Sequence, residues 1–478
     1  MTQNRLQYRP GSFCLGERCD MCEEHMQRME EFDSKIPEEV KYVIKKLNDD
    51  YFEAVIIGGC VRDILLGVEP DDWDVATNAL PCQVKSIFGK TVDVGLKYGT
   101  VAVLEGNKKI EVTTYRKEDA YSDNRRPDKV DFVPSMKEDV ARRDFTVNSI
   151  AYHPGSGFID LFNGISDIKA RIIRTVGDAD KRFSEDALRM LRAVRFMAEL
   201  GFEAEPGVIE SIKRQKHLLR KVSKERIRDE LTKILVSPNP SKTLLLKETG
   251  MLPVVIPELE EYSHEAMQQV AFKLENIEND PVLRWAVFLR YKGRDDILHI
   301  LNNLRFSNAE IKRICSIMEN IHKDIKPIPG LVKKLVSVIG EGTFLDVLKV
   351  KEAILKAEMK SCRNNKNGKD SHDGNDDCIL KGFAKCEYLA EDIKRIDAAI
   401  NIYRAAKDKG ECMSIRDLAV NGDDIIRLGF KEGKQVGEVL EKLLDRVIKS
   451  PGSNRKEELL KYASRYLKNS LRINGNRT

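Results

Sequence analysis

A glycine pair between a predicted strand and a predicted helix constrains the fold of this chain more than any other feature. The apolar run Ala54–Ile57 ends at Gly58 and Gly59, and apolar residues then recur at helical spacing in "GGCVRDILLG". Glycine allows a tight turn close to a phosphate, and the first turn of a helix offers free N–H donors. The pattern therefore predicts a phosphate-binding turn with Arg62 in the helix, although a Gly-Gly turn alone is usually structural. No Gly-Lys-Ser/Thr follows, which excludes a Walker A loop, and no third glycine stands at the spacing of a dinucleotide fingerprint.

Two carboxylates follow this turn and predict a metal site. In "DDWDVAT", Asp72 and Asp74 flank Trp73, so in a strand both carboxylates lie on one face and Trp73 on the other. Glu111 alternates with apolar neighbours in "IEV", and we predict that it faces the same site. Oxygen ligands at this spacing suit Mg²⁺, with water and substrate phosphates filling the remaining positions. Taken alone, the pair also fits an acidic turn before a strand, but the preceding phosphate turn favours the metal site.

Length and composition limit the classes of protein to which the chain can belong. Its 478 residues are 41% hydrophobic and 33% charged, which suffices for about two to four domains. No apolar run reaches the roughly 18 residues that span a bilayer, and Met1–Gly16 lacks the apolar core of a secretory signal. The ten cysteines are expected to be free thiols in a reducing cytoplasm. We therefore expect a cytoplasmic protein without a membrane partner, while the net charge of +4 alone does not indicate nucleic acid.

The pattern along the chain predicts an α+β head followed by helices. Strand-type and helical signals alternate up to Tyr152. The β-rich runs Thr100–Leu104 and Ile110–Tyr115 are joined through Gly106-Asn107, which predicts a hairpin. After this region the apolar spacing becomes almost wholly helical, and Ser184–Asp186 predicts the start of a helix with a capping residue and an acidic first turn.

These segments, in this order, resemble the polymerase β-like nucleotidyltransferases, and most closely the class II CCA-adding enzymes (tRNA nucleotidyltransferases) and bacterial poly(A) polymerases. The resemblance rests on "GGCVRD" with "DDWDVAT", on "IEVTTYRKEDAYSDNRRP", similar to the second strand and flexible loop, and on "EDVARRDFTVNSIAY", similar to the ribose-recognition motif. It continues with "GISDIKARIIRTVGDADKRFSEDALRMLRAVRF", similar to the neck, and with "LAVNGDDIIRLGFKEGKQVGEVLEKLLDRV", similar to the tails of bacterial CCA-adding enzymes.

The resemblance implies a role for each matching residue. Asp72 and Asp74 are expected to hold two Mg²⁺ ions, with Glu111 beside them as a third catalytic carboxylate. The expected nucleotide-binding residues are Gly58, Gly59, Arg62, Arg143, Asp144, Asn148, Asp186, Arg189, Arg192 and Arg195. Among them, Asp144 and Asn148 match ribose contacts, and Arg192 and Arg195 match triphosphate contacts.

Base selection is expected from Asp186 and Arg189, which are three residues apart on a predicted helix and hence neighbours on its surface. Adenine and cytosine each present an amino donor beside a ring-nitrogen acceptor, which an aspartate acceptor beside an arginine donor can bind. Guanine and uracil present the reverse order and would leave buried polar groups unpaired. Outside this series of motifs, an ordinary ion pair on an amphipathic helix would explain the same spacing.

Two segments depart from the family pattern or remain open. Arg290 and Tyr291 stand where many bacterial relatives carry the His-Asp pair of a metal-dependent phosphohydrolase domain. We therefore predict that residues 260–325 are a degenerate, structural version of that domain or merely a helical body. Near the N-terminus, Cys14, Cys19, Cys22 and His25 have an irregular spacing that fits either a zinc site or free thiols in an unstructured tail.

The expected domain organisation has six parts. In chain order they are an N-terminal extension that is a candidate for disorder (1–35), a nucleotidyltransferase head (36–155), a neck with the base-recognition helix (156–235), a helical body with the degenerate region (236–360), a flexible insertion (361–380) and a helical tail (381–478). From Glu441 to Thr478, ten Lys and Arg residues oppose four acidic ones, so the tail is expected to contact tRNA, with a solvated helix face as the alternative.

The function that these motifs imply is template-independent addition of CCA to the 3′ end of tRNA, with CTP and ATP as substrates and pyrophosphate as the second product. A poly(A) polymerase or an A-adding enzyme of the same family is the alternative. The stretch Tyr115–Pro127 resembles the flexible loop of full CCA-adding enzymes, which argues against a CC-adding enzyme. An inactive RNA-binding scaffold would not need the full set of intact site residues Asp72, Asp74, Arg143, Asp186 and Arg189.

Overall fold

The computed structural model describes residues 29–119, 129–367 and 376–475 of the chain, and side chains over 29–117, 130–360 and 386–466. The described residues form two compact units. The N-terminal unit runs to Ile234 and includes Leu245–Glu260, and the C-terminal unit comprises Leu235–Leu244 and the chain from Glu261 onwards. No helix among the described residues is both long and apolar enough to cross a bilayer.

A mixed sheet forms the first half of the N-terminal unit. In chain order, the strands of this unit are β1 Ala54–Ile57, β2 Asp74–Thr77, β3 Thr91–Gly95, β4 Thr100–Glu105, β5 Lys108–Thr114, β6 Arg116–Asp119, β7 Lys129–Phe132, β8 Ala151–His153, β9 Gly157–Ile159, β10 Ile172–Ile173 and β11 Glu203–Ala204. The main sheet has the order β3-β4-β5-β2-β1-β8-β9, while β6 pairs with β7 and β10 with β11. Strands β4 and β5 form the predicted hairpin, and Gly106 in its turn has a φ of +55°, which glycine adopts without strain.

Short helices surround this sheet and longer ones follow it. The helices of the first unit are α1 Glu38–Asp49, α2 Gly59–Leu65, α3 Pro81–Ile87, α4 Met136–Ala141, α5 Gly164–Ala170, α6 Ala179–Glu185, α7 Leu188–Leu200, α8 Pro206–Gln215, α9 Lys224–Leu235, α10 Leu244–Glu248 and α11 Leu252–Val255. The chain is also helical at 29–35, where the buried ring of Phe32 lies 4.1 Å from that of Tyr152 and 4.9 Å from that of Phe158. Part of the predicted N-terminal extension therefore packs on the sheet.

The predicted helix start at Ser184–Asp186 is wrong. Helix α6 begins five residues before Ser184, because the side chain of Asp178 accepts a hydrogen bond from the backbone N–H of Lys181 and caps it. Asp186 follows the last residue of α6, and its carboxylate accepts a hydrogen bond at 3.0 Å from the N–H of Leu188, where α7 begins. Asp186 thus lies at a junction between two helices rather than in the first turn of one.

The C-terminal unit is wholly helical in its described part. Its helices are α12 His264–Leu274, α13 Pro281–Phe288, α14 Arg294–Asn303, α15 Asn308–Asn320, α16 Pro329–Ile339, α17 Glu341–Asn367, α18 Asp376–Asp408, α19 Gly422–Arg427, α20 Lys434–Lys449 and α21 Lys456–Gly475. Helices α17 and α18 extend into the segment predicted as a flexible insertion, so the predicted loop at Ser361–Asp377 is too long. Helices α19, α20 and α21 share an apolar core that includes the fully buried Leu443, Leu459 and Ala463.

The order of these elements gives the α+β architecture that the sequence predicts. Polymerase β-like heads combine a mixed sheet with flanking helices, and the remainder of this chain is helical. The strands that carry the predicted site residues, β1, β2 and β5, are neighbours in the middle of the sheet. Their central position fixes the backbone of the site.

Candidate active site

The predicted metal-binding carboxylates lie at the end of two neighbouring strands. Asp74 is the first residue of β2, and in the parallel pairing of β2 with β5 it stands directly opposite Glu111. Asp72 precedes the strand and is exposed, while Trp73 is buried on the other face, as the alternation predicts. The pairing of β2 with β5 therefore places Glu111 beside Asp74, as expected from its apolar neighbours.

Like charges meet at Asp74. Its side chain reaches solvent, yet its pKa is raised to about 6. The protein packed around the carboxyl group is the largest cause, the guanidinium of Arg143 opposes it, and the carboxylates of Glu111 and Asp72 add to it. The three carboxylates thus concentrate negative charge at one edge of the site. A bound divalent cation relieves such a concentration.

The site offers a divalent cation two carboxylate ligands, Asp72 and Asp74, rather than a complete set of preformed protein ligands. Glu111 forms an ion pair with Lys109 at 2.8 Å. Among the residues whose side chains are described, no group of three His, Cys, Asp or Glu side chains is already arranged to hold a metal. Asp72 and Asp74 supply the oxygen donors that Mg²⁺ prefers, and this ion commonly takes its other ligands from water and phosphate.

The glycine turn lies against these carboxylates. Gly58 precedes α2 with a φ of +96°, a value that favours glycine. A Cβ atom at this position would lie 3.3 Å from Nη1 of Arg143 and 3.7 Å from Oδ2 of Asp74. Within the described part of the chain, the buried Nε atom of Arg143 has no hydrogen-bond partner. The turn therefore lies between a guanidinium and a carboxylate, with its glycine backbone beside both.

A chain of hydrogen bonds links four of the predicted nucleotide-binding residues. Arg62 donates to Oδ1 of Asn148 at 2.5 Å, Asn148 donates to Oδ1 of Asp144 at 3.3 Å, and Arg192 donates from Nε to Oδ2 of Asp144 at 2.7 Å. Burial alone would raise the pKa of Asp144, but the charge and hydrogen bond of Arg192 outweigh it and lower that pKa to about 2. Asp144 is therefore an anion throughout the physiological pH range.

Three arginines surround one aromatic ring in α7. The guanidinium carbons of Arg62, Arg192 and Arg195 lie 5.3, 5.3 and 4.3 Å from the ring centroid of Phe196. Arg195 also forms an ion pair with Glu230 at 3.3 Å. Phe196 holds these cations together in an arginine-rich wall. Each of the three is also paired with a carboxylate, Arg62 with Asp63 and Arg192 with Asp144, so the charge of the wall is largely offset.

The structure places Asp186 and Arg189 in one region and gives each of them a partner. Oδ2 of Asp186 accepts a hydrogen bond at 2.8 Å from Arg226 of α9. Arg189 is buried and donates at 2.7 Å to Glu185 and at 2.9 Å to the carbonyl of Arg142. Both side chains are therefore already engaged within the protein.

Sequence reasoning missed two residues that hold this site in shape. Asp139 is buried in α4 and binds Arg142 at 2.6 Å and Arg143 at 3.4 Å. The spacing of three and four residues in "EDVARRD" is typical of helical ion pairs and could have revealed it. Arg226 lies forty residues beyond Asp186, and no local pattern indicates their contact.

Some predictions fall elsewhere or outside the described residues. Cys14, Cys19, Cys22 and His25 lie outside them, as does most of the flexible loop. In the C-terminal unit, the guanidinium of Arg290 lies 4.8 Å from the ring centroid of Tyr291, and neither side chain supplies the ligand pair of a metal-dependent phosphohydrolase.

Three family models match successive segments of the chain. The sequence model of the Poly A polymerase head domain matches residues 54–174, that of the RNA and SrmB-binding site of polymerase A matches 201–263, and that of tRNA nucleotidyltransferase domain 2 matches 381–463. The CCA-adding enzyme of Ligilactobacillus salivarius is 35% identical over 90% of this chain and 98% of its own length.

Solved structures give the same result. The Bacillus stearothermophilus CCA-adding enzyme in complex with CTP superimposes with a TM-score of 0.69 at 29% identity, covering 91% of this chain and 98% of that protein. The Thermotoga maritima CCA-adding enzyme complexed with tRNA shares the fold, with a TM-score of 0.57 at 21% identity over 93% of this chain and 98% of that protein. The chain therefore belongs to the CCA-adding enzyme family and is a nucleotidyltransferase.

Proposed function

We propose that this protein adds CCA to the 3′ end of tRNA without a nucleic-acid template, using CTP and ATP. The observation that carries the proposal is the convergence of Asp74, Glu111, Arg143 and Gly58 at the centre of the sheet. Relatives bound to CTP and to tRNA support the substrate classes. Since the reaction belongs to tRNA maturation, we further infer that the protein acts in the cytoplasm.

Asp72 and Asp74 are the residues that would hold Mg²⁺, in agreement with their oxygen donors and with the negative charge around Asp74. When bound, the metal ions would lower the pKa of the attacking 3′-hydroxyl and neutralise charge on the departing pyrophosphate. Gly58 and Gly59 leave room for the triphosphate, and Arg143 offers it a guanidinium beside Asp74. These residues bring the two reacting groups together and offset the charge that develops between them.

We assign binding of the ribose and the triphosphate to the arginine-rich wall around Phe196 and to the residues bonded to it. Asp144 and Asn148 are proposed to contact the ribose, and Arg62, Arg192 and Arg195 the triphosphate. Asp144 and Arg192 neutralise each other, and Arg62 is held by Asn148. A triphosphate entering the site therefore exchanges existing charge-assisted hydrogen bonds for new ones, which limits the net gain from each contact.

Base selection is assigned to Asp186 and Arg189. Asp186 offers carboxylate oxygens and Arg189 offers guanidinium donors, so together they match the amino-and-acceptor edge of adenine and cytosine. Asp186 is bound to Arg226 and Arg189 to Glu185. Reading a base therefore requires both side chains to turn from these partners towards the nucleotide.

The tail is proposed to hold tRNA. Lys442 lies 3.8 Å from the ring centroid of Tyr466, and Arg446 lies 4.8 Å from that of Tyr462. These pairs connect α20 to α21 and place cations beside partly exposed aromatic rings, a combination suited to an RNA backbone and its bases. We also propose that the head, neck, body and tail predicted above are the separate functional parts of the chain.

The decisive experiment incubates the purified protein with tRNA transcripts ending before CCA, before CA and before A, with each nucleotide alone and with CTP and ATP together, and sequences the product ends. We expect CCA ends, no GMP or UMP addition, and no product from the Asp74→Asn variant. Long runs of A in the presence of CTP would instead identify a poly(A) polymerase. Addition of A only, or of CC only, would identify a partial enzyme.

A further inference from the structure

A polar cavity of about 280 Å³ lies within the C-terminal unit, among residues that the proposed reaction does not use. Its walls come from the end of α13, the end of α15, and helices α17 and α18. The charged and titratable side chains that line it are Arg290, His322, Asp324, Lys351, Asp392 and Arg395. The remaining lining is aliphatic, so the charged groups face one another across a small space.

Arg290 lines this cavity, and none of the described residues places a carboxylate within ion-pair distance of it. Its Nη1 atom is buried and makes no hydrogen bond within the described chain, so this atom is shielded from the cavity. Its guanidinium lies 4.8 Å from the centroid of the Tyr291 ring, a contact that holds the group in place without satisfying its donors. The other donors of this partly exposed guanidinium are the ones that an anion in the cavity can reach.

A second buried cation lies beside it. Lys273 is 2% exposed, and its ammonium donates to the neutral oxygens of Gln269 at 3.1 Å and Tyr291 at 3.3 Å. Burial and the repulsion of Arg290 lower the pKa of Lys273 to about 8, with Glu358 acting in the opposite direction. Lys273 therefore remains mostly protonated at neutral pH and adds to the positive charge at Arg290.

The acids of the cavity do not cancel this charge. Asp392 is bound by Arg395 at 3.2 Å, and Arg395 is also bound by Glu391 at 2.8 Å. Asp324 lies 3.9 Å from Lys326. In the part of the chain with described side chains, Arg290, Lys273 and Lys351 have no carboxylate oxygen within ion-pair distance. Asp324 and Asp392 still attract Lys351, and Glu358 attracts Lys273, so the excess over these acids is a single positive charge, that of Arg290.

We propose that this cavity, here called the Arg290 cavity, binds a small phosphate-bearing anion. The planar donors of Arg290 match phosphate oxygens, Lys351 faces the same space, and Lys273 reinforces the positive field from behind. The volume admits inorganic phosphate, pyrophosphate or the phosphate end of a nucleotide, and these sources share the same chemistry. The site lies outside the head and uses none of the residues assigned to nucleotide transfer.

The first test locates the anion in crystals of the full chain soaked in sodium tungstate, whose anomalous signal marks a phosphate-like ion. We expect a peak between Arg290 and Lys351, separate from any peak near Arg143. A peak near Arg143 without one in the Arg290 cavity would overturn the proposal. Competing soaks with pyrophosphate and with AMP distinguish the sources, because the one that abolishes the peak occupies the site.

The second test uses thermal unfolding of the full-length protein and its variants with and without inorganic phosphate. Phosphate should raise the Tm of the wild-type protein, and Arg290→Gln should lose most of this rise, with Kd weakened about tenfold or more because a charge-assisted contact is removed. Arg294→Gln is the matched control, since Arg294 is exposed and bound to Glu319. Should Arg290→Gln fail to fold, Lys351→Gln provides the same comparison. An equal phosphate-dependent rise in the wild-type protein and these cavity variants would contradict the proposal.

Discussion

At the scale of single residues, the site contains charged side chains that repel one another in one place and attract one another in another. Asp74 is crowded by two other carboxylates, whereas Asp144 is held by Arg192. The sequence predicts the first group because alternation along a strand and the glycine turn are local patterns. It cannot predict that Arg226 binds Asp186, because that contact depends on how helices separated by forty residues pack together.

Removing one carboxylate of the site should stop transfer without unfolding the protein. Asp74→Asn removes a proposed metal ligand, so we expect a loss of about a thousandfold or more in kcat. The free energy of unfolding should stay unchanged or rise, because the substitution relieves repulsion from Asp72 and Glu111. Asp93→Asn, on the exposed edge strand of the same sheet, is the control. Near-normal turnover of Asp74→Asn at ordinary Mg²⁺ would rule out this assignment.

The buried anion at Asp144 should make stability depend on acid. Because its folded-state pKa is about 2 and lies below the ordinary value of 3.8, the stabilisation is present above that ordinary value and is lost as pH falls towards 2. Asp144→Asn should therefore lower the free energy of unfolding by about 2 kcal/mol at pH 7 and by less at pH 3. Denaturant unfolding of both proteins at the two pH values measures the difference. An equal loss at both values would contradict the role of the charge.

Asp186 should set which nucleotides are accepted. Asp186→Asn weakens the acceptor that opposes the carbonyls of guanine and uracil, so the kcat/KM ratios of CTP over UTP and of ATP over GTP should fall about tenfold to a hundredfold, by analogy with bidentate base contacts. Asp229→Asn, an exposed residue of α9 bound to its neighbour Arg228, is the control. If Asp186→Asn slows all four nucleotides equally, its role is structural and the bond to Arg226 accounts for it.

At the scale of elements, strand pairing and a few close contacts position the site. The hairpin of β4 and β5 is confirmed, since its turn and its alternation are both local signals. The predicted start of a helix at Ser184–Asp186 is wrong, because two helices meet at Asp186 and Asp178 caps the first of them. A sequence pattern that shows apolar spacing across both helices does not reveal the break between them.

One close contact ties α5 to the turn that carries Asn148. Gly164, the first residue of α5, lies so near this turn that a Cβ atom would be 2.3 Å from the carbonyl oxygen of Thr146. Gly164→Ala should therefore destabilise the protein by about 2 kcal/mol or more, because backbone atoms must move apart. Gly342→Ala in α17 is the matched control, since nothing lies near its added methyl group. Thermal unfolding measures both, and an equal Tm for the two variants would show that α5 can shift freely.

At the scale of the whole molecule, the charged residues with proposed roles are distributed over both compact units. The N-terminal unit contains the carboxylates and arginines of the reaction, and the C-terminal unit contains basic and aromatic residues on α20 and α21. Each unit has its own buried core, so residues of one can be changed without removing the core of the other. The effects of the tail on tRNA and of the head on chemistry should therefore be separable in kinetics.

The tail is the place to test that separation. The double variant Lys442→Glu and Arg446→Glu reverses two charges on α20 that lie against Tyr466 and Tyr462. If the tail holds the RNA backbone, KM for full-length tRNA should rise about tenfold, and the slope of log affinity against log salt should become shallower by about two, since two phosphate contacts are lost. The kcat value should stay within about twofold, because the head is unchanged. Lys349→Glu, an exposed lysine of α17 bound to Glu278, is the matched control and should alter neither quantity.

A short RNA hairpin that carries only the acceptor end tests the same idea from the substrate side, because it should be used equally by the wild-type protein and the double variant. Unchanged KM and salt dependence for full-length tRNA in the double variant would make this face of the tail an ordinary solvated surface.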